Sequence, residues 1–229
     1  MTDFSWTQDR DKCSELFSRY TALRKATQTF MSERFYKKIS ARDMESAADR
    51  LEIDTHGKEF VFDSENDMTV MFDYALFLND ENGGPVVQRE GPRLAKGADA
   101  ATRELLDVFS NYRYTWLIPI NAVPGIGVRC LDLLLGEDVF VVDRGMGSYM
   151  RMDGHITMTG LLPVGDCFMT TGAALPYHGT NADMLPMLDA VGASPHTPIT
   201  LTVAQRADFA AWSIVTARAF GEMDRIRYA

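Results

Sequence analysis

The feature that most constrains this chain is a change of apolar period near residue 111. Before it, apolar residues recur every three or four positions, the spacing of amphipathic helices. From Tyr112 to about Pro176 they alternate, as in Tyr112, Tyr114, Trp116 and Ile118, the spacing of half-buried strands. After Pro176 the helical spacing returns. A run of helices, then strands, then helix predicts an α+β protein: N-terminal helices, a small antiparallel β-barrel or rolled sheet, and a C-terminal helix. The expected regions are 1–110 (helical), 111–176 (barrel-like) and 177–229 (helical tail), packed as one unit.

Within the first region the spacing of Cys13, Leu16, Phe17, Tyr20, Leu23, Thr27, Phe30 and Met31 predicts a long helix from Gln8 to Tyr36. A second helix is expected over Ala41–Leu51, with Ser40 as cap and Asp43 three residues on. A short strand at Glu59–Phe62 and a third helix from Asp63 or Ser64 follow. The glycines and prolines of 80–97 read as a long loop, a mobile connection or else a lid. A fourth helix is expected over Ala98–Phe109.

In the second region Pro119 limits the pairing of the first strand. Gly127–Leu134 and Val139–Asp143 read as a hairpin across Leu135–Asp138. His155–Leu162 and Cys167–Thr171 read as two further strands joined through Pro163 and Gly165. A helix is expected at Asn181–Val191 and another at Val203–Phe220, with Thr202 as its cap.

The stretch Leu131-Asp132-Leu133-Leu134-Leu135-Gly136-Glu137-Asp138-Val139-Phe140-Val141-Val142-Asp143 resembles the β-rich small-barrel segment of uncharacterised bacterial proteins, some of which carry a SEC-C metal-binding motif. Leu161–Val164 and Thr170–Ala174 extend the resemblance over 131–174. The resemblance implies a small barrel and no reaction. The SEC-C motif is a tail rich in Cys and His; here Met223–Ala229 contains neither, so its metal-binding role does not carry over.

Charge narrows the function classes. The formal net charge is −9. Residues 51–107 hold 13 acidic and 5 basic groups, whereas residues 1–50 hold 8 acidic and 10 basic. A chain so acidic repels phosphate backbones, so nucleic acid is a disfavoured partner. A regulator working through the basic 24–42 region (Lys25, Arg34, Lys37, Lys38, Arg42, with Tyr36 to stack on a base) is the third reading. Three widely spaced cysteines, Cys13, Cys130 and Cys167, form no metal-ligand pattern and suit a reducing compartment. With no apolar signal core at the start and no apolar run of about 18 residues, the expectation is cytoplasmic residence and no membrane partner.

No catalytic signature stands out. There is no H-E-x-x-H and no G-x-S-x-G, and the pairs Gly125-Ile126-Gly127 and Gly145-Met146-Gly147 lack the rest of a dinucleotide fingerprint. No cofactor or metal is expected. The ligand-binding candidates are Arg129, Asp143, Arg144, His155, Tyr177 and His178, near the ends of the predicted strands. Arg144, Tyr149 and Arg151 around the 145–147 turn suggest an anion-receptive rim. The first functional expectation is a non-enzymatic interaction or adaptor module, with the Gln8–Tyr36 helix as the interface to a protein partner or a second copy. The alternative is an enzyme or small-ligand-binding protein with its site at the barrel end.

Overall fold

In the computed structural model the described residues are 4–57, 59–149, 155–171, 174–178 and 198–220. The expected helix at Asn181–Val191 lies outside them. The chain divides into two compact units. One takes the residues up to Arg24 together with Arg113–Thr200; the other takes Lys25–Tyr112 and the residues from Leu201. Among the described residues no helix is long and apolar enough to cross a membrane.

The first helix, α1 (Arg10–Phe30), starts in the first unit and ends in the second. Its apolar stripe is used inside the chain: Cys13, Tyr20 and Thr27 are buried, as is Met31 just beyond it. A π-helical turn (Met31–Phe35) swings Phe35 fully into the core of the second unit, where its ring meets Phe109 edge-on at 5.2 Å.

Caps set the helices of that unit. In α2 (Ala41–Arg50) the Ser40 hydroxyl accepts from the Asp43 amide, while Asp43 accepts from the Ser40 amide, a reciprocal capping box. The same device, Ser64 with Asp67, opens α3 (Glu65–Phe77). A two-residue ladder, β1 (Thr55–His56) with β2 (Glu59–Phe60), lies between them.

The expected 80–97 loop is corrected here: it contains α4 (Val86–Leu94). Pro85 stands at its N-cap, where a missing amide costs nothing. Val86 and Val87 are buried, and Arg89 donates to both Asp43 oxygens at 2.8 and 2.9 Å. The Arg89–Asp43 ion pair ties this segment to the cap of α2. Asp99 caps α5 (Ala100–Ser110).

The barrel begins with β3 (Arg113–Val123) and continues with β4 (Gly127–Asp132) and β5 (Glu137–Val142) as an antiparallel meander. At Pro119 the β3–β4 register shifts by one residue, so the proline sits at a bulge rather than ending the strand. The Gly145–Gly147 stretch, expected as a turn, is instead α6 (Arg144–Tyr149). Asp143 starts it by accepting from the Met146 amide at 3.0 Å. Then come β6 (His155–Val164), β7 (Cys167–Thr170) and β8 (Leu175–His178).

Order and direction define the barrel. β5 pairs with β7 in parallel at Val141 and Phe168, β7 pairs with β6, and β6 returns to β3. Taking β3 as strand one, the closed order is 1-2-3-5-4-1, with a helix between strands three and four. This is the connectivity of the OB-fold, a five-stranded Greek-key barrel. β8 continues along the edge of β6 that β7 occupies. Leu117, Val128, Cys130, Val139, Val141 and Leu161 fill the interior, with Met146 of α6 packed against them.

The remaining helix, α7 (Val203–Ala219), is capped by Thr202 and Gln205 and belongs to the second unit. Its Arg218 donates to the Leu51 and Glu52 carbonyls and to Asp63 and Asp67.

Candidate functional site

Alternation decides what β4 and β5 show to the outside. Val128, Cys130, Val139 and Val141 point into the barrel, so Arg129, Asp138 and Phe140 point away from it. Arg129 and Phe140 are register partners. Arg129 donates through Nε at 3.1 Å, and also through Nη2, to Asp138 Oδ2. That fork fixes the guanidinium plane.

The outer face is already covered. Phe4 lies 6.3 Å from the Phe140 ring, and Trp6 meets it edge-on at 4.9 Å. Arg129 stands over the Phe4 ring at 5.4 Å, within cation–π range. Phe140 is 0% exposed as a result, although every residue from Phe4 to Gln8 remains partly or fully exposed. The cover is a 3-10 turn (Ser5–Gln8). The Asp9 carboxylate accepts from the Asp11 and Lys12 amides and starts α1 just beyond it.

The start of α1 extends this surface. Phe17 lies under the Arg144 guanidinium at 6.0 Å. Tyr20 is buried and accepts from Arg24 at 2.7 Å. Burial pushes the Tyr20 phenol up; Arg24 opposes this and Asp143 adds to it. Arg19 reaches the β6–β7 turn, where a Cβ on Gly165 would lie 3.0 Å from its Nη1.

A second polar cluster occupies the opposite end of the barrel from α6. Asp132 is 0% exposed. Its Oδ1 accepts from Thr115 Oγ1 at 2.5 Å and from the Leu134 and Leu135 amides at 3.0 and 3.1 Å. Arg113 Nη2 lies 3.0 Å from Asp132 Oδ2, yet the pair is not aligned as a hydrogen bond, and Arg113 Nε has no acceptor. The guanidinium stacks on Phe168 at 4.1 Å. Burial lowers the Arg113 pKa, with Asp132 and Glu137 opposing.

Of the six sequence candidates, Arg129, Asp143, Arg144 and Tyr177 have described side chains, and each has its own surroundings. Arg129 lies on the β4–β5 face. Asp143 is consumed as the α6 cap and as the acceptor for Thr170 Oγ1 at 2.9 Å. Arg144 packs on Phe17. Tyr177 is buried on β8, in register with Ile156. His155 and His178 are register partners of β6 and β8, with side chains outside the described set. Arg151 and the Tyr149 side chain, the other members of the expected anion-receptive rim, also lie outside the described residues, while Arg144 opens α6. Phe4, Trp6, Phe140 and Arg113 were not among the candidates; alternation along β5 puts Phe140 outside the barrel, but its place beside Arg129 comes from the register.

None of the three thiols is set up as a nucleophile or ligand. Burial raises the pKa of Cys13, Cys130 and Cys167, with Asp9, Asp132 and Asp166 respectively adding to it; Cys167 reaches about 11 even though Arg19 opposes the shift. Among the described residues no group of three or more His, Cys, Asp or Glu side chains could hold a metal ion.

No curated protein and no solved structure matches the chain. The model of a family of unknown function, DUF7986, matches residues 14–188, most of the chain, which therefore belongs to that family.

Proposed function

We propose that this chain is a non-enzymatic interaction module whose working surface is the outer face of β4 and β5. The observation that carries this reading is the seat around Phe140: an aromatic ring and an oriented guanidinium, side by side on a sheet face, with two further rings lying on them. In barrels of this connectivity the corresponding strand pair is a common binding face, for oligonucleotides and oligosaccharides. That is an analogy of architecture and supplies no partner by itself.

Charge selects the class of partner. Arg129 is neutralised by Asp138, and a chain of net charge −9 repels a phosphate backbone, so the partner is a polypeptide rather than a nucleic acid. Tyr36, the stacking candidate of the basic region, is packed against Phe72 at 5.3 Å, which weakens the nucleic-acid reading further. Asp143 works as a helix cap and accepts from Thr170. Residence in the cytoplasm fits three buried, unbridged cysteines.

One observation favours a second reading, a small-ligand site at the barrel end. Arg113 and Asp132 keep buried polar atoms without aligned partners, and such atoms are uncommon without a water or ligand to satisfy them.

Native mass spectrometry of the full chain from its own host, as wild type and as Arg129→Glu, separates the two. The interaction reading expects a protein partner or second copy on part of the wild type that is lost from Arg129→Glu. A small molecule retained by both, with no protein partner, overturns it in favour of the barrel-end site.

A further inference from the structure

We propose that the β4–β5 face receives a partner segment bearing two aromatic residues separated by one, and that Phe4–Trp6 is a built-in occupant that must leave first. The inference rests on the interaction reading above and names its ligand chemistry and its regulation.

The occupant defines the chemistry. Phe4 and Trp6 are two residues apart, and both rings reach Phe140. Arg129 adds a cation over the first ring. The segment is a short 3-10 turn: the Thr7 amide and hydroxyl donate to the Phe4 carbonyl at 3.0 and 2.8 Å, and the Asp9 amide donates to the Trp6 carbonyl at 2.9 Å. The Cys13 thiol of α1 donates to the Thr7 and Trp6 carbonyls at 3.4 and 3.9 Å. A partner segment with the same aromatic spacing and a turn of its own finds the same seat.

Burial is uneven across the contact. The receiving ring is fully buried, while none of Ser5–Gln8 is. Asp9 marks the hinge, because it caps α1, and the buried Cys13 one turn later fixes that helix. Lifting the turn gives up the two Cys13 thiol contacts and leaves the Asp9 cap of α1 in place.

The seat survives the departure. Asp138 holds the Arg129 guanidinium in plane without help from Phe4, so the cation stays aimed at the place the ring vacates. A preorganised seat keeps its affinity for the next ligand. The tethered occupant competes at an effective concentration on the order of millimolar, so a free peptide of equal intrinsic affinity meets a much reduced apparent one.

The test uses a fluorescein-labelled peptide of residues 1–9, followed by anisotropy with the full-length wild type and with full-length Phe4→Ala/Trp6→Ala. The double variant is expected to bind at least tenfold more tightly than the wild type, and a peptide with both aromatics replaced by alanine is expected not to bind. Equal affinity for the two proteins overturns the built-in occupant and leaves the interaction surface standing. No binding to a folded double variant overturns both. Should the double variant fail to fold, the assigned Trp6 indole resonance of the ¹⁵N-labelled wild type provides the readout under excess unlabelled peptide. Movement to a solvent-exposed shift is expected, and an unmoved resonance overturns the displacement.

Discussion

Replacing Asp43 by asparagine removes an acid-sensitive clamp whose size can be worked out. The carboxyl group is 2% exposed. Burial alone would push its pKa up, but hydrogen bonds from Arg89 and from the Ser40 amide and hydroxyl, together with the Arg89 charge, hold it down at about 2, below the ordinary aspartate value of 3.8. At about 1.36 kcal/mol per pKa unit, the ionised clamp contributes about 2.4 kcal/mol. The folded pKa is depressed, so this stability is fully present above pH 3.8 and is lost as pH falls through 2. By the same linkage relation, about half of it remains at pH 3. Urea denaturation of wild type and Asp43→Asn, both at pH 7 and at pH 3, measures the difference directly. The wild type should lead by about 2–3 kcal/mol at pH 7 and by about half as much at pH 3. A difference that does not shrink, or that grows with acid, would refute the clamp. The variant should also loosen α4, since Arg89 is the residue that ties it to the α2 cap.

Asp132→Ala should cost about 3–5 kcal/mol in urea melts, because Arg113 becomes a buried cation without a counter-charge. Adding Arg113→Met should recover part of the loss, whereas simple addition of the two costs would contradict the pairing. Gly147→Ala should destabilise the barrel by about 1–3 kcal/mol, since its Cβ would stand 2.8 Å from the Gly127 nitrogen and 3.0 Å from the Val123 carbonyl oxygen; an unchanged thermal midpoint would refute the close packing of α6 on that turn. The native protein should leave all three thiols unreactive toward a disulfide reagent at pH 8 and expose them only in denaturant; rapid labelling of Cys130 under native conditions would show that the barrel interior opens.

Much of the fold was legible because its signals are local. Ser40 with Asp43 and Thr202 at the start of α7 read directly as caps, and the alternation from Tyr112 onward read as strands. Two helices escaped for the same reason: Gly91 and Pro92 disguise α4, and Gly145 and Gly147 disguise α6. What holds those segments helical is distant, namely Arg89 on Asp43 and the fit of Gly147 against Gly127. Barrel closure had no local signal either, since it depends on β6 returning to β3 and on one parallel pairing, Val141 with Phe168.

The site was hidden by register. A turn at Leu135–Asp138 sets Phe140 opposite Leu133. The turn instead closes two residues earlier, because Asp132 Oδ1 accepts from the Leu134 and Leu135 amides and the Gly136 amide donates to the Asp132 carbonyl at 2.8 Å. Gly136, at φ +67°, supplies the left-handed residue this turn needs. Phe140 then falls opposite Arg129, and a seat appears that spacing alone could not reveal. Phe4 and Trp6 were invisible as its cover, since two aromatics in a short segment carry no periodicity.

The outer face of β4–β5 is the surface proposed to meet a partner. Chemical-shift mapping of ¹⁵N-labelled full-length Phe4→Ala/Trp6→Ala against the unlabelled 1–9 peptide tests this most directly. The account predicts that the largest shifts fall on Arg129, Asp138, Phe140 and their strand neighbours. Shifts centred instead on Arg113, Asp132 and Phe168 would contradict it and move the site to the end of the barrel.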